Sequence, residues 1–146
     1  MAIAEDILTA YEAVLGAVVW DPTQAFTIES RKRLATIGEA EKKLIVLGLD
    51  GAEEFERLTA VKMLVRYPIA FAIAVKETAK LGDTATMTAW RQQLRLAVLK
   101  PLTGVDGFNV VQPRPIGRIF AESPLAEGWT WSPFGVWVEV IENISV

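Results

Sequence analysis

The sequence predicts an α+β fold, with two main helices packed on one face of a mainly antiparallel sheet of four to five strands. Three observations predict it. Two separated stretches place apolar residues three and four apart, several short runs alternate at the period of a strand, and no Gly/Ser linker, repeat or low-complexity tract divides the 146 residues. Residues 1–146 therefore read as a single domain, and its 51% hydrophobic content is enough for a real core.

Along the chain, Ile3, Ile7, Tyr11, Val14, Leu15 and Val18 line one face of an N-terminal helix over residues 3–19. Asp21-Pro22 ends it, because the residue before a proline is pushed out of the α region. Residues 22–40 fit neither template and read as an extended or irregular connection that carries the basic cluster Arg31, Lys32 and Arg33. Lys42 to Leu49 is short, branched and closed by Asp50-Gly51, the chemistry of a strand entering a turn. Residues 53–66 are ambiguous. Phe55, Leu58, Val61 and Leu64 suit one helical face, whereas Val61, Met63 and Val65 alternate; a strand over 57–66 is the favoured reading.

Ile69, Phe71, Ile73 and Val75 alternate with Ala70, Ala72 and Ala74, which predicts a strand with one bulky and one small face. Pro68 restricts that ribbon to an edge or a break. A second helix opens near Gly82-Asp83, with Asp83 or Thr84 as cap, and buries Met87, Trp90, Leu94, Ala97 and Val98 before Lys100-Pro101 closes it. Phe108 to Gln112 reads as a short strand that runs into the stiff segment Gln112-Pro-Arg-Pro-Ile. Residues 115–133, rich in Pro and Gly, read as a surface loop, and Phe134 to Ile141 as a terminal strand.

The chain contains neither histidine nor cysteine. Triads based on histidine, Cys-His catalysis, zinc fingers and disulfide scaffolds are thereby excluded. A net charge of −3 disfavours nucleic acid as a partner. The first twenty residues carry Glu5, Asp6 and Glu12 and no basic leader, so they do not read as a signal peptide. The longest uncharged apolar run, Tyr67 to Val75, is too short to span a bilayer as a helix. A soluble, non-secreted protein without cofactor or metal is the expectation.

Candidate chemistry is sparse. Glu53, Glu54 and Glu56 form the densest carboxylate cluster, which could hold Mg²⁺ or share acid and base roles, but beside a glycine turn it reads better as solvated. Gly48 and Gly51 lack the third glycine or lysine of a phosphate loop. Arg91 with Arg95, and Arg114 with Arg118, offer local basic patches for an acidic protein surface. Of five tryptophans, Trp90 falls on a buried stripe, whereas Trp129, Trp131 and Trp137 lie where aromatic interface anchors are typical. The small-faced strand at Ala70, Ala72 and Ala74, together with Arg114, Arg118, Trp129, Trp131 and Trp137, makes up the candidate interface.

The run Val65-Arg-Tyr-Pro-Ile-Ala-Phe-Ala-Ile-Ala-Val, then Trp90-Arg-Gln-Gln-Leu-Arg in a helix, then Val110-Val-Gln-Pro-Arg-Pro and a last strand, resembles the small tail-terminator or tail-completion (neck) proteins of long-tailed bacteriophages. The similarity covers roughly residues 57–142. It implies a non-enzymatic virion subunit that forms a homo-oligomeric ring, commonly a hexamer, made in the host cytoplasm and placed on the tail. Such a ring caps the tail-tube protein and meets the head-completion proteins, with no catalytic residues and no membrane. Two alternatives stand beside it: a head-tail adaptor contacting the portal and its DNA, and a small enzyme built on Glu53 to Glu56 with Tyr11 or Tyr67.

Overall fold

The structure is a computed structural model that describes residues 3–21, 26–30, 43–76, 84–115 and 129–144. Helix α1 (Ile3–Gly16) is followed by β1 (Thr27–Ser30), β2 (Lys43–Leu49), β3 (Glu54–Arg57) and β4 (Lys62–Lys76), then helix α2 (Thr84–Val98), β5 (Phe108–Arg114) and β6 (Trp129–Asn143). All six strands share one sheet in the order β1-β2-β4-β6-β5, with β3 paired to β4 off that path.

The expected sheet of four to five mainly antiparallel strands is corrected by this arrangement. There are six strands among the described residues, and the sheet is mixed, because β1 runs parallel to β2. Both unpredicted strands are only four residues long and polar, so neither shows two full periods of alternation. Strand β1 falls in the stretch read as irregular, and all four residues of β3 are exposed. β1 is placed by its pairing with β2 and by the single apolar residue Ile28, and β3 by its pairing with β4.

Three boundaries also shift. Helix α1 stops at Gly16, short of Asp21-Pro22, and its last carbonyls tighten into i→i+3 bonds from Ala17 N to Val14 O (3.2 Å) and Val18 N to Leu15 O (3.3 Å). The favoured ribbon over 57–66 is a hairpin, since Leu58 and Thr59 both donate to Lys62 O (3.0 and 3.1 Å) and turn the chain from β3 into β4. Strand β6 begins at Trp129, inside the stretch read as loop, because all fifteen of its residues pair with β4.

Pro68 is the further correction. It sits in the middle of β4, a strand flanked on both sides, not at a sheet edge. In a strand the N–H and C=O of one residue point to the same side. Pro68 O accepts from Asp50 N (2.9 Å), so its absent N–H also faces the β2 side, where β2 has just ended and β3 has not begun. The ladder with β6 therefore loses nothing at Pro68. The same parity, carried through β6, aims the nitrogen of Pro113 in β5 away from its one neighbour, toward the outer edge of the sheet.

The odd-numbered residues of β4, from Val65 to Val75, join Ile45, Leu47, Val136, Val138 and Val140 beneath the two helices. Tyr11 of α1 packs edge-on against Phe71 (4.8 Å between ring centroids) while its hydroxyl donates to Val98 O at the end of α2 (2.9 Å). One side chain thus ties both helices to the central strand. Trp20, Phe26 and Trp90 form a second edge-to-face chain, with centroids 5.0 and 5.1 Å apart.

Gly107 turns the chain into β5 with φ of 77°, and a Cβ there would lie 2.2 Å from Ile141 O. Gly107→Ala is therefore expected to cost about 2 kcal/mol or more through the left-handed backbone and the clash with β6. Urea denaturation measures it, and a change below about 0.5 kcal/mol would contradict the geometry.

Candidate functional site

The sheet face opposite the helices gathers most of the candidate residues. Ala70, Ala72 and Ala74 point there, and all three are fully buried, so their surface is already covered within the chain. Ala70 stands in a cross-strand row with Gly48 of β2, Gly135 of β6 and Arg114 of β5. Apart from Arg114 this row holds nothing larger than a methyl group, and it leaves a lane across three strands for a long side chain.

Arg114 uses that lane. From β5 its Nη1 reaches Asp50 Oδ2 at the end of β2 (2.7 Å), its Nη2 lies 3.5 Å from Asp50 O, and its guanidinium carbon sits 4.7 Å from the centre of the Trp137 ring. The carbonyl it approaches lies opposite Pro68, which has no N–H to donate across the ladder. Both charged side chains are almost withdrawn from solvent, and Arg114 Nε has no hydrogen-bond partner among the described residues. Two of the sequence candidates, Arg114 and Trp137, are thereby brought together, but in an internal brace. Trp129 and Trp131 lie in the first residues of β6 with side chains outside the described residues, and Arg118 and the Arg31–Arg33 cluster fall outside them altogether.

Farther along the same face a ladder of charges crosses four strands. Arg66 of β4 donates to Glu56 of β3 (3.1 Å) and faces Glu139 of β6 (3.5 Å), to which Asn109, at the bulge of β5, also donates (3.4 Å). These acids hold the Arg66 guanidinium charged, the bond from Glu56 contributing most. The Glu53–Glu56 cluster is thus spread along an exposed strand, with Glu56 engaged by Arg66. Tyr67, on the helix side, donates to Glu142 (2.5 Å), and Tyr11 is sealed against Val98. Burial, followed by the bond to Glu142 and the charges of Glu142 and Glu53, pushes the Tyr67 phenol well above its ordinary range; burial alone does so for Tyr11. Neither phenol is poised as an acid or base near neutrality. Among the described residues no group of three or more acidic, His or Cys side chains could hold a metal ion, and no helix is long and apolar enough to cross a membrane.

Two apolar surfaces are open to solvent among the described residues. The first is the arm made by β3 and its turn, where Phe55 is 63% exposed and Leu58 and Val61 are also largely exposed. The second is a groove of about 500 Å³ between the ends of α1 and α2, lined by Val14, Ala17, Val18, Val19, Leu96 and Ala97 with Gln93 and Lys100. Val19 is 91% and Leu96 60% exposed. The groove wall is fixed by Gln93, whose amide carbonyl accepts from Asp21 N (2.9 Å) and whose amide nitrogen donates to Asp21 O. With Trp20 drawn into the core, its neighbour Val19 is turned outward. Sequence reasoning missed this groove, although one signal was present. Leu96 is a large apolar residue about 200° around the helix from Leu94, off the buried stripe.

The chain matches no protein-family model and has no significant match among curated proteins.

Two outcomes follow from the internal geometry. Arg114→Met leaves Asp50 buried beside a proline, and a loss of about 3 kcal/mol is expected, with part recovered when Asp50→Asn is added. Denaturation of the two single variants and the double variant measures the coupling, and strict additivity would show the pair to be inert. The phenols give the second. Folded Tyr11 and Tyr67 hold their protons at a pH where the unfolded chain releases them near 10. Their contribution is therefore complete below pH 10 and is lost as pH climbs above it, by at most about 1.4 kcal/mol per pH unit for each phenol. Unfolding followed from pH 9 to 11.5 should slope downward, and Tyr67→Phe should flatten the slope; an unchanged slope would contradict this.

Proposed function

We propose that this chain is a non-enzymatic structural subunit that assembles with copies of itself into a ring, as the tail-terminator proteins it resembles do on the tail tube of long-tailed bacteriophages. The observation that carries the reading is the pair of apolar surfaces left in solvent among the described residues, the β3 arm and the groove between the helices. Isolated exposed leucines need no explanation, but a protruding apolar arm and a separate apolar groove are what contact between subunits requires. Because the two surfaces differ, their contact is head-to-tail and propagates until a rotation closes it.

The charged groups support the same reading. Arg114, Arg66, Glu56, Glu139 and Asp50 bind one another across the outer face and brace the sheet. The partners in this reading are a further copy of the chain, the tail-tube protein on one rim and a head-completion protein on the other, in the virion neck.

Light scattering on the purified chain, alone and with a tail-tube protein, tests this. A mass several times that of the 16.1 kDa chain, with rings visible by electron microscopy, is expected. A strict monomer at every concentration that ignores the tube would overturn it.

A further inference from the structure

We propose that neighbouring copies in the ring meet edge to edge through their helices, the basic flank of α2 in one copy seating Arg91 and Arg95 in the acidic recess beside α1 of the next. This deepens the ring reading and rests on it.

The two helices divide the charge of their layer. α1 carries Glu5, Asp6 and Glu12 and no base, whereas α2 carries Arg91 and Arg95 and no acid. Their positions on the helices send these charges to opposite edges of the molecule. α1 packs against β1 and β2, toward one end of the sheet order, and α2 against β6, toward the other. Residues two apart on a helix differ in direction by about 160°, taken the shorter way round. Arg91 and Arg95 each stand two positions from Gln93, which lines the groove shared with α1, so both point away from α1. Glu12 stands two positions from Val14, on the α1 side of the same groove, and Glu5 lies seven before Glu12 on nearly the same line, so both point away from α2.

Each flank is half of an ion pair. Glu5 and Glu12 line a recess of about 210 Å³ together with Leu8, Thr9 and Ser30, so two carboxylates and two hydroxyls share it with one apolar side chain. Such a seat suits a guanidinium, whose planar head takes a carboxylate in two parallel bonds while its methylene stem lies on apolar surface. Glu5, Glu12, Arg91 and Arg95 are all exposed, and among the described residues none of the four has an ion-pair partner. Arg91 lies along its own helix, its Nη2 donating to Thr88 Oγ1 (3.3 Å).

The pattern favours a second copy of this chain and fixes its orientation. A two-fold axis that set α1 beside α1, or α2 beside α2, would oppose like charges. A head-to-tail contact sets acid against base and leaves one flank of each sign free for the next copy, which is the repeat that a ring requires. Exposed ion pairs contribute little singly, but here the same set recurs at every junction of a closed ring.

Reversal of whole flanks tests the contact. Glu5→Arg with Glu12→Arg gives a chain with two basic flanks, and Arg91→Glu with Arg95→Glu gives one with two acidic flanks. All four positions are exposed, so both chains should keep the wild-type circular-dichroism spectrum. Each double variant alone is expected to need a roughly tenfold higher concentration to assemble. An equimolar mixture should return to within about threefold of the wild type, because the two chains can alternate around the assembly. A second readout leaves every charge in place and uses the absence of native cysteine. Thr9→Cys and Gln92→Cys, both at exposed positions, are prepared separately, mixed in the assembled state and treated with a short bis-maleimide; cross-linked dimer should be several-fold more abundant in the mixture than with either alone.

If the wild type assembles and the folded double variants assemble equally well, or their mixture does no better than its components, this contact is overturned and the ring reading stands. Should a double variant misfold, the cross-link decides, and cysteines joined no better in the mixture than alone overturn the contact. Reversed flanks that leave assembly intact but abolish binding to the tail-tube protein would assign the charges to that partner and overturn it as well. A wild type that stays monomeric at every concentration overturns the ring reading and the contact together.

Discussion

β4 carries β2 and β3 on one side and β6 along its whole length on the other, and a proline stands at its centre. Each buried backbone polar group in a central strand needs a partner, so a missing donor there must fall where no acceptor waits or leave an acceptor to be satisfied otherwise. The fold does both. β2 ends at the level of Pro68 and β3 begins beyond it, which confines the defect to a single carbonyl, that of Asp50. Arg114 comes from the far edge of the sheet to that carbonyl and to the carboxylate of the same residue. The glycines and alanine in its path are required by this reach: a larger side chain at Gly48, Ala70 or Gly135 would stand in the way of the guanidinium.

The helices are organised from the same strand. Phe71 of β4 meets the ring of Tyr11, and Tyr11 in turn supplies a donor to the last turn of α2, where helix carbonyls lack partners of their own. Packing and polar satisfaction thus converge on one side chain. The helices are set side by side by this contact, and the groove between their ends is the residue of that placement: α1 stops at Gly16, the chain turns outward at Val19, and the gap to Leu96 is not filled. The open surface is a product of where α1 ends, which is why the early stop at Gly16 matters more than its small size as an error of reading.

Much of the core was legible because its large apolar residues recur at helical or strand spacing. The stripe Met87, Trp90, Leu94, Ala97 and Val98 and the alternation from Ile69 to Val75 both reappear as buried residues. What escaped was structure with too few apolar residues to show a period. β1 and β3 are four residues each, with one large apolar residue apiece, Ile28 and Phe55, and β6 extends back through a stretch that its Pro133 marks as loop in isolation. The Arg114–Asp50 pair joins residues 64 apart in sequence and depends on a register that no local pattern encodes. Leu96 and Phe55 were visible as apolar residues, but their exposure follows from the positions of neighbouring elements.

Pro113 has a consequence beyond its own strand. Among the described residues β5 is the last strand on its side of the sheet, and such edges invite the backbone of another molecule to add on and extend the sheet without limit. With the nitrogen of Pro113 turned outward, the middle of that edge presents a gap where an incoming strand would need a donor. A stranger's strand cannot zip along it. This edge is therefore a poor template for strands added from another molecule.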